Sequence, residues 1–263
     1  MLTIDTHCHA GMNWFEPVET LVYQMDTNGV DHAVLIQHGG TYDNNYLFDQ
    51  AAKRPGRFKV VVMVDPEDPD PTGTLEKLAG QGAAGVRLYP GQKFRASDPH
   101  AMWKKSGELG LVVSSLGKAA DFAGADFKKM LDVCLDTQVV IEHLAGVGIT
   151  EPPYREYESA LECAKRPNTT LKVPGLGEIC RRPPRLLPGF RFDNIPPLFE
   201  MARDAFGAQR MMWGSDFPPS AGREGYANTL AAIKQSPAFS DGDDREWVLG
   251  KTAARVWGFE ALV

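Results

Sequence analysis

The sequence of 263 residues lacks long apolar runs, and no stretch reaches the roughly 18 apolar residues of a membrane-spanning helix. It also lacks an excess of positive charge, because 28 Lys and Arg stand against 34 Asp and Glu, a formal net charge of −6. No basic segment precedes an apolar stretch near the start, so no secretory signal is visible. These absences argue against membrane and nucleic acid as partners and predict a cytoplasmic protein.

Cysteine is scarce as well. The four cysteines are scattered, with no C-x-x-C pair: Cys8, Cys134, Cys163 and Cys180. In a chain of this size without a secretory signal they are expected to be reduced thiols. Cys8 lies between two histidines, but neighbouring side chains of a strand face opposite sides. We therefore expect Cys8 to point away from His7 and His9.

Short apolar runs, by contrast, recur along the whole chain. They predict strands at 2–6, 33–36, 58–64, 84–88, 111–114, 139–142, 170–173 and 211–215. Most do not alternate with polar residues, which favours parallel strands covered on both faces. Helical patterns lie between them, at 18–28, 44–53, 72–79, 101–108, 127–136, 155–165 and 197–206, with a last helix at 243–259.

The spacing of the strands decides between architectures. Consecutive strand ends lie 24 to 42 residues apart, and one strand-helix unit needs roughly 30 residues. Eight such units predict a (β/α)8 barrel, a TIM barrel, as one domain over residues 1–263. An open doubly wound sheet is the alternative, but it usually has a Gly-rich first turn. Here no glycine follows the first strand until Gly11, so we expect no dinucleotide and no other organic cofactor.

In such a barrel the active site lies at the carboxyl ends of the strands. Four of the six histidines fall there, and the candidate residues are His7, His9, His38, Arg87, Tyr89, His143 and Asp216. His-x-His on a strand places two imidazoles on one side, about 7 Å apart at Cα, as a pincer for a metal ion or a carbonyl oxygen. Asp216 among histidines would be ionised and could act as a general base.

The other rim residues have binding roles in this interpretation. His143 could donate a hydrogen bond or return a proton to a leaving alkoxide, and Arg87 could clamp a substrate carboxylate. Tyr89 and His38 are further candidates for substrate binding. We expect a small, anionic substrate as partner.

Some candidates have plainer explanations. Asp65 before Pro66 is more typical of a turn, and His32 precedes its strand at the wrong end of the barrel. Trp257 in the last helix is expected to pack in the core, against the barrel wall. The segment 179–194 carries four arginines and stays open between a lid that attracts an anion and a surface loop or subunit contact: Arg181, Arg182, Arg185 and Arg191.

Several motifs together resemble a known family. They are IDTHCH at 4–9, PGRF at 55–58 leading to VDP at 64–66, GVRL at 85–88, VIEHL at 140–144 and WGSDFP at 213–218. The chain resembles the amidohydrolase superfamily over its full length. Within it, the chain is similar to the amidohydrolase-related family of aromatic-acid decarboxylases and lactonases. The resemblance implies a (β/α)8 hydrolase or lyase with His7, His9, His143 and Asp216 at its centre.

One departure from that family bears on metal binding. Metal-dependent members usually have a histidine at the end of strand five, where this chain has Ser114 and Ser115, and serine is a poor zinc ligand. One divalent ion, zinc or manganese, on His7, His9 and Asp216 therefore stays open. Some members of the lactonase branch work without metal, and KVPGL at 172–176 is similar to that branch.

The resemblance favours hydrolysis of a small carboxylated or hydroxylated lactone or ester, with Asp216 as base. The alternatives are a metal-dependent decarboxylase of an aromatic or enolic acid, and an inactive barrel that serves as a binding protein. Chains of this class often associate, which leaves a homo-oligomer open.

Overall fold

The strands form one parallel sheet in chain order, and each strand pairs with the next. The computed structural model describes residues 1–186 and 192–260. Within them the strands are β1 Ile4–Cys8, β2 His32–Ile36, β3 Phe58–Val62, β4 Gly85–Leu88, β5 Val112–Ser115, β6 Val139–Ile141, β7 Thr169–Val173 and β8 Met211–Trp213. The ring closes where the amide of Asp216 donates to the carbonyl of His7 (2.8 Å) and that of His9 to Phe217 (2.8 Å). The predicted (β/α)8 barrel is confirmed.

Helices cover the outside of this barrel. The α-helices are Val18–Asn28, Asn45–Lys53, Pro71–Gly80, Ala101–Glu108, Ala119–Ala123, Ala125–Val133, Arg155–Leu161, Leu198–Phe206, Pro219–Arg223, Tyr226–Gln235, Asp244–Glu246 and Thr252–Trp257. Short 3-10 turns occupy Glu162–Lys165, Leu176–Glu178, Ala208–Arg210 and Pro237–Phe239, and a π-helical turn occupies Trp247–Lys251. Among residues 1–186 and 192–260, none of the helices is long and apolar enough to cross a bilayer.

The predicted helices differ from the observed ones mainly at their ends. The helix predicted at 127–136 runs over Ala125–Val133, and the one predicted at 155–165 changes to a 3-10 turn after Leu161. The last predicted helix, 243–259, is interrupted by the π-helical turn. In the described part of the chain, three helices were not predicted: Ala119–Ala123, Pro219–Arg223 and Tyr226–Gln235.

Strand alternation divides the apolar core in two. One set of side chains packs between barrel and helices, and it includes Cys8, as expected. The other set fills the lower barrel interior and includes Val34, Val140 and Met212. Trp257, 3% exposed, belongs to the interior set, so it is core as predicted. It closes the barrel floor instead of packing on the outer wall, and its indole Nε1 lies 3.4 Å from the Met212 sulfur.

A polar layer lies above this apolar floor. On the inner face, Glu142 follows Val140 by two residues, and Lys172 follows Thr170 in the same way. Both charged side chains are at most 1% exposed. Their position follows from alternation, because every second side chain of a barrel strand points inward.

The start of the chain has an irregular β1 that turns His7 inward. The pairing of β1 with β2 shifts register between Asp5 and Cys8. The Asp5 carboxylate accepts from the amides of His7 (3.2 Å) and Ser215 (2.8 Å), which fixes this shift against the end of β8. A Cβ on Gly214 would lie 2.7 Å from the His7 Cβ, so the glycine makes room for the imidazole.

Other expectations can be placed on the fold. All four cysteines, each in the described part of the chain, are free and buried. His32 lies at the amino end of β2, where its Nδ1 bonds the Gly56 carbonyl (2.9 Å), and Asp65 accepts from the Glu67 amide (2.9 Å) in a turn. In the arginine-rich segment, Arg181, Arg182 and Arg185 are exposed, whereas Arg191 lies outside the described residues. The choice between lid and surface loop stays open.

Candidate active site

The four central residues of the prediction meet at the carboxyl-end mouth of the barrel. His7 Nε2 and His9 Nε2 are 3.2 Å apart, and Asp216 Oδ1 lies 3.6 Å from the first and 3.5 Å from the second. The ring of His143 packs edge-on against His7, with centroids 4.4 Å apart. All four side chains are buried. The structure therefore assembles one compact centre from β1, β6 and β8.

The hydrogen-bond partners of His7 and His9 indicate which ring nitrogen of each histidine carries a proton. Lys172 Nζ lies 2.9 Å from His7 Nδ1, and His9 Nδ1 lies 2.8 Å from the Ile36 carbonyl. A carbonyl only accepts, so His9 carries a proton on Nδ1, and in its neutral form it presents a lone pair at Nε2. Burial, followed by the charges of Lys172 and His143, holds the pKa of His7 well below its usual value, so His7 is neutral.

Asp216 is an ionised carboxylate at the centre of the mouth. Burial opposes its ionisation, but the charges of His143 and Arg223 outweigh burial and hold its pKa below the usual range. Its Oδ2 accepts from Arg223 Nη1 (2.9 Å), which leaves Oδ1 for the histidines. The backbone of Asp216 has φ 53°, a left-handed conformation that Asp tolerates better than most residues.

The pKa of His143 shifts in the direction opposite to that of Asp216. Burial lowers its pKa, but the charge and hydrogen bond of Glu178 outweigh burial and raise it. The Nδ1 atom is 3.0 Å from the Glu178 carboxylate, and Nε2 lies 3.8 Å from the Glu142 carboxylate. The structure thus pairs an ionised carboxylate with a histidine that favours its charged form, as acid and base roles require.

A left-handed turn, His143–Gly146, carries this histidine. His143, Leu144 and Ala145 have φ of 54°, 48° and 54°, a conformation that costs about 1–2 kcal/mol per residue. Gly146 continues the turn at φ 62°, and a Cβ there would lie 1.9 Å from the Gly117 carbonyl oxygen. Such strain persists only where the surrounding structure imposes it, often at functional sites.

Below the mouth, the buried polar layer forms a continuous network. Glu142 accepts from Arg87 Nη2 (2.8 Å) and Ser114 Oγ (2.6 Å), and Lys172 donates to Ser114 Oγ (3.2 Å). Burial opposes ionisation of Glu142, but the charges of Arg87 and Lys172 lower its pKa to about 2. Burial lowers the pKa of Lys172 to about 8, although the charge of Glu142 acts the other way.

The three predicted substrate-binding residues lie at different depths in the barrel mouth. Arg87 is 5% exposed and bound to Glu142, so it lies beneath the mouth. His38 and Tyr89 are half-buried at the rim, and Phe15 stacks on His9 (5.1 Å) while it meets His38 edge-on (4.7 Å). Substrate binding by Arg87, His38 and Tyr89 stays a prediction.

Four residues of the site were not singled out as site residues from the sequence: Glu142, Lys172, Glu178 and Arg223. Glu142 and Lys172 could have been found from the sequence. Each is a charged residue on the inner face of an apolar strand, and such a residue needs a buried partner. Glu178 ends the 3-10 turn after β7 and Arg223 ends the short helix after β8, and no pattern in the sequence marks them.

Among residues 1–186 and 192–260, three groups of side chains have donor atoms within 4.8 Å of one another: His7, His9 and Asp216; His7, Glu142 and His143; His143, Glu178 and Asp216. The first triangle has sides of 3.2, 3.5 and 3.6 Å. Its centre is about 2 Å from each atom, a usual Zn–N distance. The distances fit a divalent ion, but the hydrogen bonds do not. Because Lys172 donates to His7 Nδ1, neutral His7 carries its own proton on Nε2, which then has no lone pair for a metal.

Comparison with known proteins extends these findings. Residues 4–259 match the sequence profile of a family described as amidohydrolase. L-fucono-1,5-lactonase of Burkholderia ambifaria is 27% identical, over 97% of this chain and 94% of its own. Among solved structures, a proposed 2-pyrone-4,6-dicarboxylic acid hydrolase of Pseudomonas putida has a TM-score of 0.74 at 24% identity over 100% of both chains. A zinc-bound amidohydrolase of Burkholderia multivorans has a TM-score of 0.80 at 20% identity over 99% of this chain and 100% of its own.

Proposed function

The chain belongs to the amidohydrolase family, and from that premise we propose that it hydrolyses a small lactone or ester that carries hydroxyl or carboxylate groups. The observation that carries the proposal is the pairing of ionised Asp216 with His143, which Glu178 keeps basic, in one buried centre. Hydrolysis of a lactone needs a base for the attacking water and an acid for the leaving alkoxide. The lactonase relative supports this choice of substrate class.

The base in this mechanism is Asp216. Its Oδ1 takes a proton from a water molecule, and the water oxygen attacks the carbonyl carbon. The unprotonated Nε2 of His9, 3.5 Å from Oδ1, accepts the second hydrogen of the water and orients it.

The donors in this mechanism are His7 and His143. As the carbonyl oxygen becomes an oxyanion, His7 Nε2–H and His143 Nε2–H stabilise its charge. The ring C–O bond then breaks, and His143 gives its proton to the alkoxide. The proton taken by Asp216 replaces the one that His143 gave, and the product is a hydroxy acid that loses its acidic proton to solvent.

Arg223 supports the preference for an anionic substrate. It lies at the mouth, where its Nη1 is bound to Asp216 (2.9 Å) and its Nη2 is 3.7 Å from the Glu178 carboxylate. Its positive charge would attract a substrate carboxylate toward the mouth.

The two alternative functions make different demands on the site. A metal-dependent decarboxylase needs His7 Nε2 as a ligand, and the hydrogen bond from Lys172 argues against that. A binding protein would not need a base beside the substrate. Product analysis and one substitution separate the three functions.

The experiment is a turnover screen of purified protein, with and without chelator. The panel contains 1,5-lactones of sugars, carboxylated pyrones and aromatic carboxylic acids, and both acid release and carbon dioxide are measured. Asp216→Asn keeps the size of the side chain and removes the base, so we expect at least a hundredfold lower lactone turnover. Asp65→Asn, a matched change in a turn after β3, should leave turnover unchanged.

The screen has outcomes that contradict the proposal. Carbon dioxide release from an aromatic acid, without acid release from any lactone, would identify a decarboxylase. Lactone turnover that survives Asp216→Asn would end the role of Asp216 as base. If the parent and Asp216→Asn bind a compound of the panel equally well and neither turns it over, the chain is a binding protein.

A further inference from the structure

We propose that Lys172 is a positioning residue that sets the proton on His7 and thereby keeps the triangle of His7, His9 and Asp216 from coordinating a metal ion. The inference rests on the proposed function only in taking this triangle as the catalytic centre. Its support is the series of hydrogen bonds from Lys172 to His7, from His7 to His9 and from His9 to the Ile36 carbonyl. All three can form together when the proton of His7 is on Nε2.

The first step is the contact between Lys172 and His7. Lys172 is 1% exposed, and its Nζ lies 2.9 Å from His7 Nδ1 and 3.2 Å from Ser114 Oγ. An ammonium group has three donors and no acceptor, so the histidine atom that it contacts must present a lone pair. The single proton of a neutral His7 is then on Nε2.

The second step is the agreement of His9 with this assignment. His9 donates from Nδ1 to the Ile36 carbonyl, and in its neutral form it has an unprotonated Nε2, 3.2 Å from His7 Nε2. His7 Nε2–H fits opposite that lone pair. Donation thus runs in one direction, from Lys172 through His7 and His9 to the β2 backbone, and reversing the His7 proton would break two of these bonds.

The third step concerns what a metal ion would require. A histidine that binds metal through Nε2 usually donates its other N–H to a carboxylate or carbonyl, which fixes the ring. Behind His7 the group within hydrogen-bond distance is the donor Lys172 at 2.9 Å, whereas the carboxylate oxygen Glu142 Oε1 lies at 3.8 Å, beyond that distance. A metal ion would have to compete with the proton on His7 Nε2 and would add positive charge beside a buried cation.

The fourth step is what holds Lys172 in place. Ser114 accepts from Lys172 and donates to Glu142, whose other oxygen accepts from Arg87. Lys172→Met would keep most of the length of the side chain and remove its donors. Thr170 lies two residues earlier on the same face of β7, and its hydroxyl contacts the Val139 carbonyl (3.4 Å) but not His7. Thr170→Val is therefore a matched control.

The test compares the full-length chain with Lys172→Met and Thr170→Val by equilibrium dialysis against Zn²⁺ alone, followed by elemental analysis. Changing the group behind a metal-binding histidine typically shifts metal affinity 10–100-fold. We expect Lys172→Met to bind one Zn²⁺ at least tenfold more tightly than the parent, and Thr170→Val to match the parent. Equal affinity of Lys172→Met and parent would overturn the inference.

A second measurement, NMR spectroscopy of labelled histidine, determines which ring nitrogen of His7 carries the proton. In the metal-free protein labelled with ¹⁵N-histidine, the signal that His7→Gln removes should show the proton on Nε2 in the parent. In Lys172→Met a larger share should lie on Nδ1, because the charged group left behind the ring is Glu142, whose Oε1 lies 3.8 Å from Nδ1. A parent His7 protonated on Nδ1 contradicts the inference, and this result decides even if Lys172→Met fails to fold. Neither readout uses turnover, so an inactive protein would refute the lactonase proposal and leave this one standing.

Discussion

Glu224 should make the stability of this protein fall as pH rises toward neutrality. Its carboxyl is 8% exposed and packs against the segment 175–177, where it accepts from the Gly177 amide. Its Oε1 has no hydrogen-bond partner among the described residues. Burial raises the pKa of Glu224 to about 7 from an ordinary value of 4.5, with Arg223 acting in the opposite direction.

The size and sign of the effect follow from that pKa shift. A pKa raised in the folded state means that the protonated carboxyl stabilises the protein fully below pH 4.5. The stability is lost as pH rises from there through about 7, because the unfolded chain releases its proton first. At 1.36 kcal/mol per pKa unit, the loss in unfolding free energy is about 3 kcal/mol.

The assay is urea unfolding of the parent and Glu224→Gln between pH 4.5 and 8.5. Gln stays neutral, so the variant should become more stable than the parent as pH rises, by up to about 3 kcal/mol at pH 8.5. The exposed Glu16→Gln should follow the parent at every pH. Parallel pH profiles of parent and Glu224→Gln would refute the assignment of a buried neutral carboxyl at this position.

Two further substitutions test the packing that supports the site. Trp257→Ala should lower the unfolding free energy by about 3–5 kcal/mol because it opens the barrel floor, whereas Trp14→Ala, at 81% exposure, should change it by less than about 0.5 kcal/mol. Equal effects would contradict the floor position. Gly146→Ala should cost more than about 2 kcal/mol through its contact with Gly117, whereas Ala145→Gly should be neutral or stabilising. A neutral Gly146→Ala in thermal unfolding would contradict the left-handed turn.

Much of the architecture could be predicted from the sequence because the signals are local. Each of the eight strands is a short apolar run, and regular spacing turns such runs into a barrel. The helices Pro219–Arg223 and Tyr226–Gln235 were missed because Gly222 and Gly225 interrupt the pattern and suggest a loop. The left-handed turn at Leu144 and Ala145 could not be predicted from the sequence, since neither residue type prefers that conformation.

The candidate site could be predicted in part. His7, His9, His143 and Asp216 each end a strand, so strand order alone brought them to one mouth. The depth of Arg87 depends on its ion pair with a neighbouring strand, and position along the chain does not reveal that. The contact between Lys172 and His7 joins residues 165 positions apart. It follows from the closed ring and could not be read from either segment.

The measurement that tests the central claim most directly is isotope incorporation during turnover in H₂¹⁸O. The lactone from the screen that is hydrolysed fastest is converted in a single turnover, and the product is analysed by mass spectrometry. If Asp216 activates water to attack the carbonyl carbon, the product is a hydroxy acid with one ¹⁸O in its carboxylate and none in the new hydroxyl. Label in the hydroxyl, or a product that has lost carbon dioxide, would contradict the proposed hydrolysis at this site.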